Sequence, residues 1–144
     1  MRKIAVLLGL FVALGLLAGC GVQKQFIKAY SGPDLPEEQV ALIKPVLRVI
    51  IRAIDSDPTK SVTAWGAFGS TDADIALTPG QHHLTLAFGA IATHSVSDLI
   101  YLINVEAGRK YLIEPVVLPG LRWRPELKDV TGKPELWCVT SPSC

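Results

Sequence analysis

The sequence predicts an all-β domain, built as a small antiparallel β-sandwich. Three observations carry this: short runs rich in β-branched residues, turn signals separating them at intervals of roughly 8–12 residues, and no long stretch with the apolar period of a helix. At 144 residues the chain holds one globular domain at most. Its 14 Lys and Arg against 13 Asp and Glu show no basic cluster beyond Arg2 and Lys3. That balance excludes nucleic acid as a partner, because counterion release needs clustered positive charge.

Each element follows from its own residues. Residues 39–43 and 46–54 read as strands, bounded by Pro45 and by Asp55-Ser56-Asp57-Pro58. Thr78-Pro79-Gly80-Gln81 has the pattern of a type II turn, with Gly80 where φ must be positive, and would join residues 74–77 to a strand over 82–88. In that strand Leu84, Leu86 and Phe88 alternate with His83, Thr85 and Ala87, so one face meets a core. Residues 99–105 and 111–117 flank a loop containing Gly108 and are expected to form a hairpin. Residues 121–124 add a further strand, and Gly132-Lys133-Pro134 marks an irregular stretch before Glu135-Leu136-Trp137-Cys138. The total is roughly six to eight short strands.

The N-terminus has a different character. Arg2 and Lys3 precede 15 residues, Ile4 to Ala18, that are all apolar or glycine. A permanent span needs about 20 apolar residues to cross about 30 Å of hydrocarbon, so this stretch suits the core of a cleaved signal peptide. It ends at Leu17-Ala18-Gly19-Cys20, which resembles the lipobox of bacterial lipoproteins. The resemblance implies cleavage between Gly19 and Cys20, diacylglycerol on the Cys20 thiol and acylation of the new amino group. Two or three acyl chains hold a protein firmly where one holds it marginally. Gly21, rather than Asp, follows the cysteine, and similarity to enterobacterial lipoproteins then implies a lipid-anchored cell-envelope protein at the outer membrane, facing the periplasm.

The expected organisation is a signal peptide over residues 1–19, a lipidated tether over 20–37 with turn chemistry at Ser31-Gly32-Pro33, and a β-sandwich over 38–144. Loss of residues 1–19 removes Arg2 and Lys3, leaving 12 basic against 13 acidic residues and a net charge of −1. Cys138 and Cys144 then remain beside the lipidated cysteine, and outside the cytoplasm an intramolecular disulfide between them is expected. Closing so small a ring would stabilise by about 2 kcal/mol. Two free thiols, or pairing with another chain, are the alternatives.

A second resemblance rests on Tyr30-Ser31-Gly32-Pro33-Asp34-Leu35-Pro36, Pro79-Gly80-Gln81-His82-His83-Leu84 and Glu106-Ala107-Gly108-Arg109-Lys110-Tyr111. Together these resemble small uncharacterised envelope lipoproteins, and the turn and hairpin motifs are similar to those of PEGA-like β-sandwich modules. Asp55-Ser56-Asp57-Pro58 stands where such modules usually carry an Asp-Gly turn. The resemblance implies a fold and brings no catalytic residues.

Candidate chemistry is sparse. His82 and His83 are adjacent in a strand and point to opposite faces, His94 is distant, and no Cys-x-x-Cys or His-x-x-x-His accompanies them, so neither metal nor cofactor is expected. Ser97-Asp98 with His94 lacks a Gly-x-Ser-x-Gly elbow. Asp72 and Asp74 alternate as paired carboxylates would, but Ser70-Thr71 and Ala73 suggest a solvated loop. Trp65, Trp123 and Trp137 could line a groove, and Arg122-Trp123-Arg124 sets cations on either side of an indole, a candidate ligand-binding strip. The competing reading is that tryptophan anchors the core of a small domain. The expectation is therefore a non-enzymatic structural or interaction domain held at the membrane through the lipid on Cys20, with an envelope protein or peptidoglycan as partner. A peptidoglycan- or glycan-binding lipoprotein using Trp123 and its arginines is the alternative.

Overall fold

A computed structural model describes residues 25–46, 48–62, 73–90, 93–94, 97–120 and 122–138. Nine strands are described: β1 (Gln25–Lys28), β2 (Ala41–Pro45), β3 (Val49–Ile54), β4 (Ala73–Leu77), β5 (Gly80–Ala90), β6 (Thr93–His94), β7 (Leu99–Val105), β8 (Lys110–Leu118) and β9 (Arg122–Asp129). A five-residue helix, α1 (Pro134–Cys138), follows them. Among the described residues no helix is long and apolar enough to cross a membrane.

The strands form an all-β sandwich of two sheets. One has the order β1-β4-β2-β8-β9; in the other, β5 pairs with β3 on one side and with β7 and the short β6 on the other. Between them lies the main core, with Ile43, Ile75 and Ile113 from the five-stranded sheet meeting Ile51, Leu84, Leu86 and Val105 from its partner. Each such fully buried side chain contributes about 1.5–3 kcal/mol by leaving water. The five-stranded sheet is mixed, because β1 runs parallel to β4 and β2 parallel to β8. Parallel neighbours require a crossover connection. Here β8 reaches β2 only after the chain has laid down β3, β5 and β7 in the opposite sheet.

The hairpin expected from residues 99–105 and 111–117 does not form. β7 pairs with β5 from Leu86↔Leu99 to Gly80↔Val105, whereas β8 lies between β2 and β9 in the other sheet. The intervening loop is held by β2 and the residue before it: the Gly108 N–H donates to the Val40 carbonyl at 2.8 Å, and the Arg109 carbonyl accepts from the Leu42 N–H at 2.9 Å. Those two bonds draw the chain across the sandwich. The turn at Pro79-Gly80 also carries the chain between sheets, from β4 to β5, with Gly80 at φ +127° as its turn chemistry requires.

Residues 25–35, expected to belong to a tether over 20–37, are part of the folded body. Gln25–Lys28 is strand β1, Ala29 is buried, and Tyr30 and Leu35 pack on the outer face of the five-stranded sheet. The folded body thus includes Gln25, five positions after Cys20. Tyr30 and Leu35 join a second cluster of Val40, Leu42, Val46, Ala76, Leu112, Val130 and Trp137, which α1 covers. β2 and β4 are therefore buried at all five of their positions.

Candidate functional site

The strip Arg122-Trp123-Arg124 opens β9, and strand alternation divides it. Trp123 packs against the main core, with its ring 5.4 Å from that of Phe88 on β5. Arg122 and Arg124 are exposed on the opposite face, where Arg124 makes a 3.4 Å contact with Glu126. The indole is therefore a structural link between the sheets, and the arginines do not flank it. Cation–π geometry occurs instead at Trp137, whose ring lies 4.5 Å from Lys44 Nζ and 5.7 Å from Lys110 Nζ. Trp65 lies outside the described residues.

Lys44 and Asp74 form a pair that local pattern does not single out. They sit on neighbouring strands β2 and β4, on the outer face beneath α1, with Lys44 Nζ 3.2 Å from Asp74 Oδ1. Lys44 also donates to the Trp137 carbonyl at 3.2 Å. The side chains are 0% and 6% exposed, so each charge has given up water for the other. A single base in Ala41–Pro45 and a single acid in Ala73–Leu77, each inside an apolar run, are the available sequence signal. Asp74 thus belongs to a buried pair rather than to a solvated loop. Asp72 lies outside the described residues.

His82 is buried, and both of its ring nitrogens are engaged. Nδ1 donates to Asp55 Oδ2 at 2.7 Å, and Nε2 faces the Thr78 carbonyl at 2.8 Å, an oxygen that can only accept. Asp55 also accepts the His83 backbone N–H through Oδ1 at 3.0 Å. Burial pushes the Asp55 carboxyl up, but these hydrogen bonds and the two histidine charges outweigh it and hold the group below the usual range. With both nitrogens occupied, His82 works as a strut joining the end of β3 to the turn between β4 and β5. Among the described residues no group of three or more His, Cys, Asp or Glu is placed to hold a metal ion.

Of the remaining candidates, Ser97 is exposed and Asp98 pairs with Arg52 Nε at 2.9 Å, while of His94 only the backbone in β6 is described. Cys138 ends α1 and is disulfide-bonded. Gly19, Cys20 and Cys144 lie outside the described residues. The chain matches no protein-family model, no curated protein and no solved structure.

Proposed function

We propose that the protein is a lipid-anchored component of a bacterial cell envelope, held by acyl chains on Cys20, whose β-sandwich serves a structural or interaction role without catalysis. The observation that carries this reading is Leu17-Ala18-Gly19-Cys20 at the end of an apolar segment, five residues ahead of the first strand of the sandwich. A short tether into a folded body suits a protein whose place in the cell is set by its lipid. The non-catalytic half of the reading is supported by how the polar side chains are used. His82 and Asp55 tie a turn, Lys44 and Asp74 neutralise one another, and Trp123 holds the two sheets together. Placement at the outer membrane, facing the periplasm, rests on Gly21 alone.

On this reading Cys20 is consumed by the lipid, which leaves Cys144 to pair with Cys138. The glycan-binding alternative has less support, because the Trp123 ring packs against Phe88 and the main core. Metabolic labelling with a fatty-acid analogue tests the anchor: the wild-type chain takes up label and Cys20→Ser takes up none. Equal labelling of both would sink the reading.

A further inference from the structure

The end of the sandwich at which β1 begins also carries the tip of the β8–β9 hairpin. Ile27, Ile75, Ile43, Tyr111 and Asp129 lie side by side across the five-stranded sheet. β1 runs antiparallel to β8, so stepping back from Ile27 to Gln25 corresponds to stepping forward from Tyr111 to Ile113. β8 continues to Leu118, five residues past Ile113, paired all the way with β9. At about 3.3 Å per residue, the ribbon projects about 17 Å beyond the level of Gln25. The five residues from Cys20 to Gln25 reach at most ~18 Å when extended. The ribbon tip and a lipid on Cys20 are therefore within reach of the same plane.

The tip has the composition of a membrane-interface element. Val117 is 65% exposed, and Leu118 is partly exposed beside the Pro119-Gly120 turn. Arg122 and Arg124 lie opposite Leu118 and Val116, and Arg122 makes no ion pair among the described residues. Arg48 adds a third cation at this end, its carbonyl accepting from Gly89 N–H, one residue beyond the Phe88 that stacks on Trp123. The opposite end mixes both signs, with Glu37 paired to Lys110 and Glu106 to Arg109. Apolar side chains flanked by exposed arginines suit an anionic lipid surface, where each arginine strengthens binding about fivefold.

We propose that the β8–β9 hairpin tip rests on the membrane that holds Cys20, with Val117 and Leu118 entering the headgroup region and Arg122 and Arg124 meeting anionic headgroups. The proposal rests on the lipid-anchor reading, and it fixes the orientation of the domain on its membrane. The opposite end, with its paired Glu37–Lys110 and Glu106–Arg109, then faces away from the membrane.

The test uses the full processed chain, with fatty-acid label incorporation checked first, reconstituted in phosphatidylcholine vesicles with and without phosphatidylglycerol. An environment-sensitive dye is attached at Val117→Cys or, as the far-end control, at Lys133→Cys. On phosphatidylglycerol vesicles the dye at 117 should shift to the blue and be quenched by lipid-borne nitroxides, while the dye at 133 stays in water. Arg122→Gln with Arg124→Gln should lower the docked-to-undocked ratio about 25-fold and leave the chain anchored. A labelled, anchored chain with both dyes in water would overturn docking alone. A dye at 117 shielded from water and from nitroxides would indicate a protein partner and overturn it equally. Absence of fatty-acid label in the wild-type chain would overturn the anchor reading and docking together.

Discussion

The two faces of the five-stranded sheet bury the same strands in different ways. The inner face presents Ile43, Ile75 and Ile113 to the opposite sheet, and no Lys, Arg, Asp or Glu is buried with them among the described residues. The outer face buries Leu42, Ala76 and Leu112 under a five-residue helix, with Lys44 and Asp74 enclosed among them. The first solution is broad and apolar. The second covers a smaller area and uses the Trp137 ring and carbonyl to complete the surroundings of a cation. Together they show why β2 and β4 have no exposed side and why a charged residue can occupy each of them. A pair placed on facing positions of adjacent strands tolerates burial where either charge alone would not.

The difference is sharpest in what a single truncation does. Asp74→Ala leaves the Lys44 ammonium without its carboxylate and is expected to destabilise the fold by about 3–5 kcal/mol, read from urea unfolding. Lys44→Met combined with Asp74→Leu removes both charges and should restore most of that loss or exceed wild-type stability. A double variant as unstable as Asp74→Ala would mean that the ion pair itself, rather than the avoidance of a lone charge, stabilises the outer face. On the inner face the corresponding probe is Ile43→Val, which deletes one methylene from a dry core and should cost about 0.5–1.5 kcal/mol. The ordering of these two values is the test: a larger loss from Ile43→Val than from Asp74→Ala would reverse the roles assigned to the faces.

The inner face was the legible one. Leu84 and Leu86 alternate with polar neighbours, and both lie in the main core as that alternation requires. The bounds of β7 follow directly from the apolar run at Leu99–Val105. β2 and β4 were less legible because burial on both sides erases the period of two that marks a half-buried strand. Glycine positions foretold backbone conformation and not pairing: Gly80 and Gly108 both have positive φ, yet the loop at Gly108 separates two sheets instead of closing a hairpin. That choice is made by bonds to Val40 and Leu42, residues some 70 positions away in the chain. The candidate strip at Arg122-Trp123-Arg124 could have been divided from sequence alone, since a strand sends its middle residue to the face opposite its neighbours. The lipobox-like Leu17-Ala18-Gly19-Cys20 has the opposite character, for its signal lies entirely in the sequence.

Charges outside both faces set the response to acid. Asp57 is held below the usual 3.8 of an aspartate by hydrogen bonds from the Thr59 hydroxyl and N–H, and Asp129 by those from Thr131. Asp55 is lowered by His82 and His83, whose bonds and charges outweigh the desolvation of its partly covered carboxyl. A depressed carboxyl contributes stability above its unfolded value and loses it as pH falls through the folded one. The melting temperature should therefore hold steady down to about pH 4 and fall below it. Replacing Asp55, Asp57 and Asp129 together by Asn should flatten the fall while lowering the neutral plateau. An unchanged acid limb in that variant would show that these three carboxylates do not set it.

The smallest expected effect belongs to neither face and calibrates both. Asp55 and Ser56 are the two central residues of a tight turn closed by Ile54 N–H to the Asp57 carbonyl at 3.3 Å and by the reverse bond at 2.9 Å. Both have positive φ, 51° and 64°. This is the type I′ geometry, for which glycine at the second central position is preferred, and a side chain held there costs about 1 kcal/mol. Asp55 offsets that cost with its bonds to His82 and to the His83 N–H, whereas no side-chain bond of Ser56 accompanies its strain. Ser56→Gly is therefore expected to stabilise the domain by about 0.5–1 kcal/mol, less than the full relief because glycine also loosens the unfolded chain. The urea midpoint should rise with an unchanged slope. A lowered midpoint would mean that the turn depends on the serine. The same substitution in the Asp74→Ala background should add independently, because Ser56 is exposed and follows β3, in the sheet opposite Asp74.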